Sequence, residues 1–406
     1  MTALRKIRLG KHVSAAFMSC ALSICTYAQE ESEPGGIISL EPELGLELRY
    51  DDNIFKSATS VRSSVITVIS PKLVLSAEPS KHRFAFEYQG DFAKYADSSP
   101  DDYEDHRLEV SAELNFSRRT KLEMIGSYDD AHDDRGTGLT EGFDPALNVP
   151  PSPDEYELRK GLGRFTWGSG VSKGRLVFEG GSSKLKYTNN LDRTRFFHRT
   201  DVYGDAAFYY SVAAKVSLLF DARLTDIDYP IDGPFQESLN SREYRYLVGV
   251  TWDRSAKTKG TIRVGYVEKK FAQSTRGNFS GPSWEVDLRW SLRSYSHIDV
   301  QTARYPSETN GGGDFVENTL YSVAWEHEWG ARVKSRLAAS DLDRDYLGSS
   351  LNREQQLTQY RFSLSYQMRR WLEWTVGVEV SSRTSNIQRF EYDGNIYTIG
   401  AVITLY

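Results

Sequence analysis

Carboxylates and guanidiniums recur in this chain at every second position, alternating with apolar residues. In residues 104–117, Arg107, Glu109 and Glu113 share one face while Leu108, Val110, Ala112 and Leu114 share the other. In residues 282–293, Glu285, Asp287 and Arg289 alternate with Trp284, Val286, Leu288 and Trp290. The same spacing places Asp221, Arg223, Arg245, Arg263, Glu328, Arg361 and Glu379 on polar faces. Both signs are present, and no nucleophile stands at a fixed offset from a base. The chemistry this set offers is hydrogen bonding and charge pairing with a polar solute, the function expected of a pore lining.

Enzyme signatures are missing. There is no G-x-S-x-G, no H-E-x-x-H and no P-loop, and Gly161-Leu162-Gly163 lacks the third glycine of a dinucleotide loop. His106, His132, His198, His297 and His327 are scattered without metal-ligand spacing. The expectation is a non-enzyme with no cofactor and no metal. A hydrolase assembling Ser and His from distant strands is the enzymatic alternative. Acidic clusters at Asp101, Asp102 and Asp105, and at Asp129, Asp130, Asp133 and Asp134, offer calcium ligands but read as solvated loops. Asp341, Asp343 and Asp345 have the spacing of a calcium loop's first ligands, yet Tyr346 stands where the glycine belongs and Asn352 where the Glu belongs, so no EF-hand is expected.

The elements that must carry these side chains are strands, because side chains alternate across a strand and a two-residue period sustained over about ten residues gives one apolar and one charged face. About eighteen such runs fill residues 42–406, with turns at, for example, 78–80, 117–119, 213–214, 294–295 and 369–370. Longer polar connections at 129–155, 189–199, 229–241, 273–282, 307–314 and 348–355 alternate with the short ones. That alternation predicts an all-β, antiparallel transmembrane β-barrel of 16–18 strands, with short periplasmic turns and long extracellular loops. Whether the longest connection, 129–155, folds into the lumen is left open by the sequence. Trp167, Trp252, Trp290, Trp329, Trp371 and Trp374 lie beside short turns and Trp284 and Trp325 do not, which predicts a periplasmic aromatic girdle.

The start of the chain sets the compartment. Arg5, Lys6, Arg8 and Lys11 precede an apolar stretch and then Thr26-Tyr27-Ala28, the pattern of a cleaved signal peptide over 1–28. A short periplasmic segment, 29–41, would follow. Both cysteines, Cys20 and Cys25, fall inside the leader, which excludes a disulfide scaffold. Of 50 basic and 56 acidic residues, four basic ones leave with the leader, so 46 face 56 and the mature charge is −10. That balance speaks against a nucleic-acid partner. A mean hydropathy of −0.52 beside 24 Tyr and 8 Trp fits a barrel in which only alternate residues meet lipid. Terminal Tyr406 resembles the C-terminal signal of outer-membrane proteins.

Several phrases resemble the family called putative β-barrel porin 2. They are Tyr50-Asp51-Asp52-Asn53-Ile54-Phe55, Ile69-Ser70-Pro71-Lys72-Leu73, Tyr88-Gln89-Gly90-Asp91, residues 95–99, Asp101-Asp102-Tyr103-Glu104-Asp105-His106, and Asp133-Asp134-Arg135-Gly136-Thr137-Gly138. They cover roughly residues 44–140. The resemblance implies a protein of the Gram-negative outer membrane associated with exopolysaccharide or capsule operons. It would assist polymer export through a polar lumen, with outer-membrane lipid, polysaccharide and periplasmic polysaccharide-export components as partners. A general or sugar-uptake porin and a structural or adhesive barrel are the alternatives.

Overall fold

The computed structural model describes residues 38–405 apart from 148, 149, 171, 234–236, 254–256 and 274. The leader expected over 1–28 and Tyr406 lie outside the described residues. Eighteen strands follow in chain order: β1 (Ile38–Asp51), β2 (Ser64–Ala77), β3 (Arg83–Tyr95), β4 (Tyr103–Asn115), β5 (Thr120–Asp133), β6 (Asp154–Trp167), β7 (Gly174–Tyr187), β8 (Arg199–Ala213) and β9 (Val216–Asp228). They continue as β10 (Ser241–Trp252), β11 (Thr258–Phe271), β12 (Phe279–Arg293), β13 (Ser296–Glu308), β14 (Phe315–Glu328), β15 (Val333–Leu347), β16 (Glu354–Arg369), β17 (Leu372–Ser385) and β18 (Tyr392–Thr404). Each pairs antiparallel with its sequence neighbours, and β1 pairs with β18, from Glu43↔Thr404 to Asp51↔Ile396. Closure removes both sheet edges, so the barrel needs no partner to satisfy its backbone.

Register follows the alternation. Leu46, Leu48, Phe84, Val110, Phe178, Tyr246, Val248, Trp290 and Phe362 are exposed on the outer face, where lipid lies, while the intervening polar residues face inward. β1 begins at Ile38, paired with Ala77, four residues ahead of the expected start at 42. The turns near residues 116–119, 214–215, 294–295 and 370–371 all leave one end of the barrel, and the longer connections leave the other.

Local irregularities have identifiable causes. The β2–β3 ladder runs from Ile66↔Tyr95 to Ile69↔Phe92 and resumes at Lys72↔Gln89. The gap falls at Pro71, which has no N–H to donate. Ser70 Oγ donates to Asp91 Oδ1 across it at 2.6 Å. At the periplasmic end Trp325 and Trp329 meet edge to face, with ring centroids 6.3 Å apart, and His327 packs on both. Trp325 therefore belongs to the girdle, against the sequence expectation. It was missed because β14 runs to Glu328, which places Trp325 one outward position from Trp329's neighbour His327.

Candidate functional site: the charged interior and its inner loop

Of the thirteen charged residues singled out by spacing, twelve occupy positions facing the inside of the barrel and are paired; the thirteenth is Glu328. Arg107 lies 3.6 Å from Glu109 and 3.5 Å from Asp129. Glu113 receives Lys121 at 2.9 Å. Gln301 Nε2 donates to Asp287 at 2.9 Å, Arg289 Nε to Asp299 at 2.6 Å and Arg361 Nε to Glu379 at 2.6 Å. Glu328 is the last residue of β14 and exposed.

Four of these, Asp221, Arg223, Arg245 and Arg263, come together on β9–β11 as part of a ladder. Arg245 and Arg263 both pair with Glu285, and Arg263 stands 3.8 Å from Asp221. Arg223 stacks over the Tyr203 ring, 3.8 Å from its centroid, and lies 3.9 Å from Glu179. Glu179 also accepts from Arg164 Nε at 2.7 Å and from Tyr203 Oη at 2.9 Å. The ladder thus spans β6 to β12. Arg107, Glu109 and Glu113 on β4, Asp287 and Arg289 on the lower part of β12, and the Arg361–Glu379 pair on β16 and β17 stand apart from it. Arg164 and Glu179 were missed because a strand shows which face a charge takes, whereas its partner depends on the register of the next strand.

The mouth is different. Each acidic cluster expected to be solvated has a buried member instead. Asp101 and Asp133 are each 5% exposed. Asp101 accepts from Arg135 Nε at 2.7 Å, and Asp105 from His132 Nδ1 at 2.8 Å. The correction has a simple cause: Arg135 and His132 supply the counter-charge that burial of a carboxylate demands. Asp341, Asp343 and Asp345 lie on a strand, β15, and form no calcium loop. Among the described residues no group of three or more His, Cys, Asp or Glu side chains is placed to hold a metal ion.

The longest connection, 134–153, turns into the barrel. Its Glu141 is 7% exposed and reaches the opposite wall: β15 is nine strand steps from β6 in a ring of eighteen. There Glu141 Oε2 accepts from Arg353 Nη2 at 2.5 Å, Asn310 Nδ2 at 2.6 Å and Tyr346 Oη at 3.3 Å. Arg383 pairs with its other oxygen, and Arg344 stands 3.8 Å from that oxygen. Burial pushes the Glu141 carboxyl up, but Arg383, Arg353 and Arg344 outweigh it and hold the group down at about 2. No sequence pattern marked this residue; it is a single acid between Thr140 and Gly142.

The connection 52–63 also folds inward. Ile54 and Phe55 pack on Ile66, Val68 and Ala93 inside the wall, and Asn53 Nδ2 donates to the Asp393 carbonyl at 2.8 Å. On the far side, Tyr229 Oη donates to Glu308 at 2.8 Å, where the fully buried Lys269 also pairs.

A closed antiparallel barrel with an apolar exterior, a charged interior and loops folded into one mouth defines a porin-like outer-membrane β-barrel. Among the described residues no helix is long and apolar enough to cross a membrane. The chain belongs to the family described as putative beta-barrel porin 2, whose model matches residues 35–405. The fold resembles OccK2 (OpdF) of Pseudomonas aeruginosa, at 10% identity and a TM-score of 0.50, covering 90% of this chain and 98% of that one. It also resembles OccK3 (OpdO) of the same organism, at 13% identity and 0.47, covering 90% and 96%. The FrpB iron transporter of Neisseria meningitidis (F5-1 variant) matches at 10% identity and 0.48; 84% of this chain is covered and the match spans 63% of that one. Such identities speak for the fold alone. No curated protein matches the sequence. Membership of this porin family places the protein in the Gram-negative outer membrane.

Proposed function

We propose that this barrel conducts a polar saccharide polymer outward, serving the export of an exopolysaccharide or capsular polymer. The observation that carries the reading is the interior ladder from Arg164 to Glu285, in which charges of both signs are paired between strands from β6 to β12. Paired charges offer a passing sugar chain many hydrogen-bond partners and hold none of its units tightly, as conduction requires. The partners on this reading are the polymer, the lipid around the apolar face, and polysaccharide-export components at the short-turn rim. The role is that of a channel and not of a catalyst.

Loops 52–63 and 134–153 fold inward, which favours a conduit over an adhesive barrel, since adhesion needs loops that project. Deleting the gene and measuring polymer in the medium tests the proposal. Loss of release, with polymer retained in the periplasm and release restored by the wild-type gene, is the expected result. Normal release, together with rapid swelling of proteoliposomes in small sugars, would replace export with nutrient uptake.

A further inference from the structure

We propose that Arg344, Arg353 and Arg383 form a carboxylate-binding site at the inner mouth, built for the uronate groups of an acidic saccharide, and that Glu141 occupies it as an internal stand-in which the saccharide displaces. This inference rests on the reading of the protein as a polysaccharide conduit and names the class of polymer.

The three arginine side chains are 4%, 5% and 6% exposed and converge on a single carboxylate. Arg344 lies on β15 and Arg383 on β17, Arg353 immediately precedes β16, and contacts other than Glu141 hold Arg353 and Arg383. Arg353 lies between the Tyr346 and Phe390 rings, 3.9 and 3.6 Å from their centroids. Arg383 Nε donates to the Phe390 carbonyl at 2.5 Å, and its guanidinium lies over the Tyr392 ring at 4.6 Å. A cationic site that keeps its shape when its occupant leaves is a preorganised receptor.

Glu141 is held differently. It sits on a connection from the opposite wall, and its own contacts are the three arginines, Asn310 and Tyr346. A guanidinium fork recognises any planar carboxylate in the same way, so a uronate can replace the glutamate group for group. Exchange frees residue 141 from the far wall and leaves the saccharide bound where the connection crossed the mouth. Site and gate are then the same contact.

The test uses the full chain in planar bilayers, with oligogalacturonate and a neutral maltooligosaccharide of equal length as probes, added on the long-loop side. In wild type, oligogalacturonate changes single-channel conductance and maltooligosaccharide does not. Glu141→Gln raises the probe-free conductance and tightens the oligogalacturonate response roughly tenfold or more, because the internal competitor is weakened. Arg353→Gln and Arg383→Gln abolish discrimination between the probes, and Arg353→Lys restores it in part, with heat-modifiable gel migration reporting a folded barrel in each. The proposal is overturned if both probes act alike on wild type, or if Glu141→Gln leaves the oligogalacturonate response unchanged. Its fate is separable from that of the export reading. Acid-specific binding with normal polymer release in the deletion strain sinks export and keeps the site, whereas lost release with indifference to the acidic probe does the reverse.

Discussion

Gly136 lies directly beneath the Phe55 carbonyl: a Cβ at residue 136 would fall 1.7 Å from that oxygen, and the backbone there has φ +85°. The next residue back, Arg135, places its guanidinium 4.6 Å from the centre of the Phe55 ring while pairing with Asp101. Three connections on neighbouring hairpins are thereby fastened into one inward-folded assembly at the mouth.

Gly136→Ala is therefore expected to unfasten residues 134–153 without unfolding the barrel. The left-handed backbone alone costs a non-glycine residue about 1–2 kcal/mol, and the clash with Phe55 adds to that. Limited proteolysis in detergent should cut within 134–153 many times faster than in wild type, while heat-modifiable migration stays normal. Equal cleavage rates would show that this close approach is not what holds the connection.

Arg135→Ala attacks the same assembly from its charge. It leaves Asp101 buried and without its guanidinium, and removing one member of a buried pair costs about 3–5 kcal/mol. The loss should show as faster cleavage in both 96–102 and 134–153, with Arg135→Lys intermediate, since an ammonium cannot make the two-pronged contact.

These contacts show what was legible in the sequence and what was not. The strands and the direction of each side chain could be read because a two-residue period is a local property, as in Trp284 to Arg293. The phrases at 50–55, 101–106 and 133–138 stood out as family features, but their meaning was tertiary: Phe55, Asp101 and Arg135 touch only after the barrel closes. Ser70-Pro71 and Gly90-Asp91 likewise stood out separately and proved to face one another across the ladder gap. Glu141 left no trace, because its partners Arg344, Arg353 and Arg383 lie more than two hundred residues downstream. The acidic residues were misread as solvated because a count of charges cannot show that a connection turns inward.

The Glu141 contact should also govern pH dependence. Its folded-state value, about 2, lies below the ordinary 4.5. A depressed carboxyl contributes stability that is complete above pH ~4.5 and is lost as pH falls toward 2. Conductance without saccharide should therefore be level from pH 8 to 5 and rise only on further acidification. Glu141→Gln should remove that acid-induced rise. A rise already complete above pH 5 would show that a group other than Glu141 governs it.

Lys269 is fully buried and pairs with Glu308, which also accepts from Tyr229. Lys269→Met should cost about 3–5 kcal/mol, because Glu308 then stays buried with its main counter-charge gone. The double variant Lys269→Met, Glu308→Gln should recover a large part of the loss. Urea unfolding in lipid vesicles measures both, and a double variant no more stable than the single one would show that the pair is not coupled.

Facing itself can be tested with one residue type at adjacent positions. Val286 points to lipid midway along β12, and Asp287 points inward, hydrogen-bonded by Gln301. Arg at residue 286 places a charge on the lipid face, at a cost of about 2–4 kcal/mol near the midplane. Arg at residue 287 enters a polar interior where Asp299 and Glu285 lie on the same or the neighbouring strand face, so its effect on unfolding should be small. Its mark should fall on conduction, since reversing one charge in a mixed-sign wall shifts ion selectivity toward anions. Val286→Arg should therefore change urea stability and leave selectivity alone, and Asp287→Arg should do the opposite. Exchanged results, with the stability loss at residue 287 and the selectivity change at residue 286, would mean that the register of β12 is displaced by one residue, which would exchange every lipid-facing and inward-facing side chain on that strand.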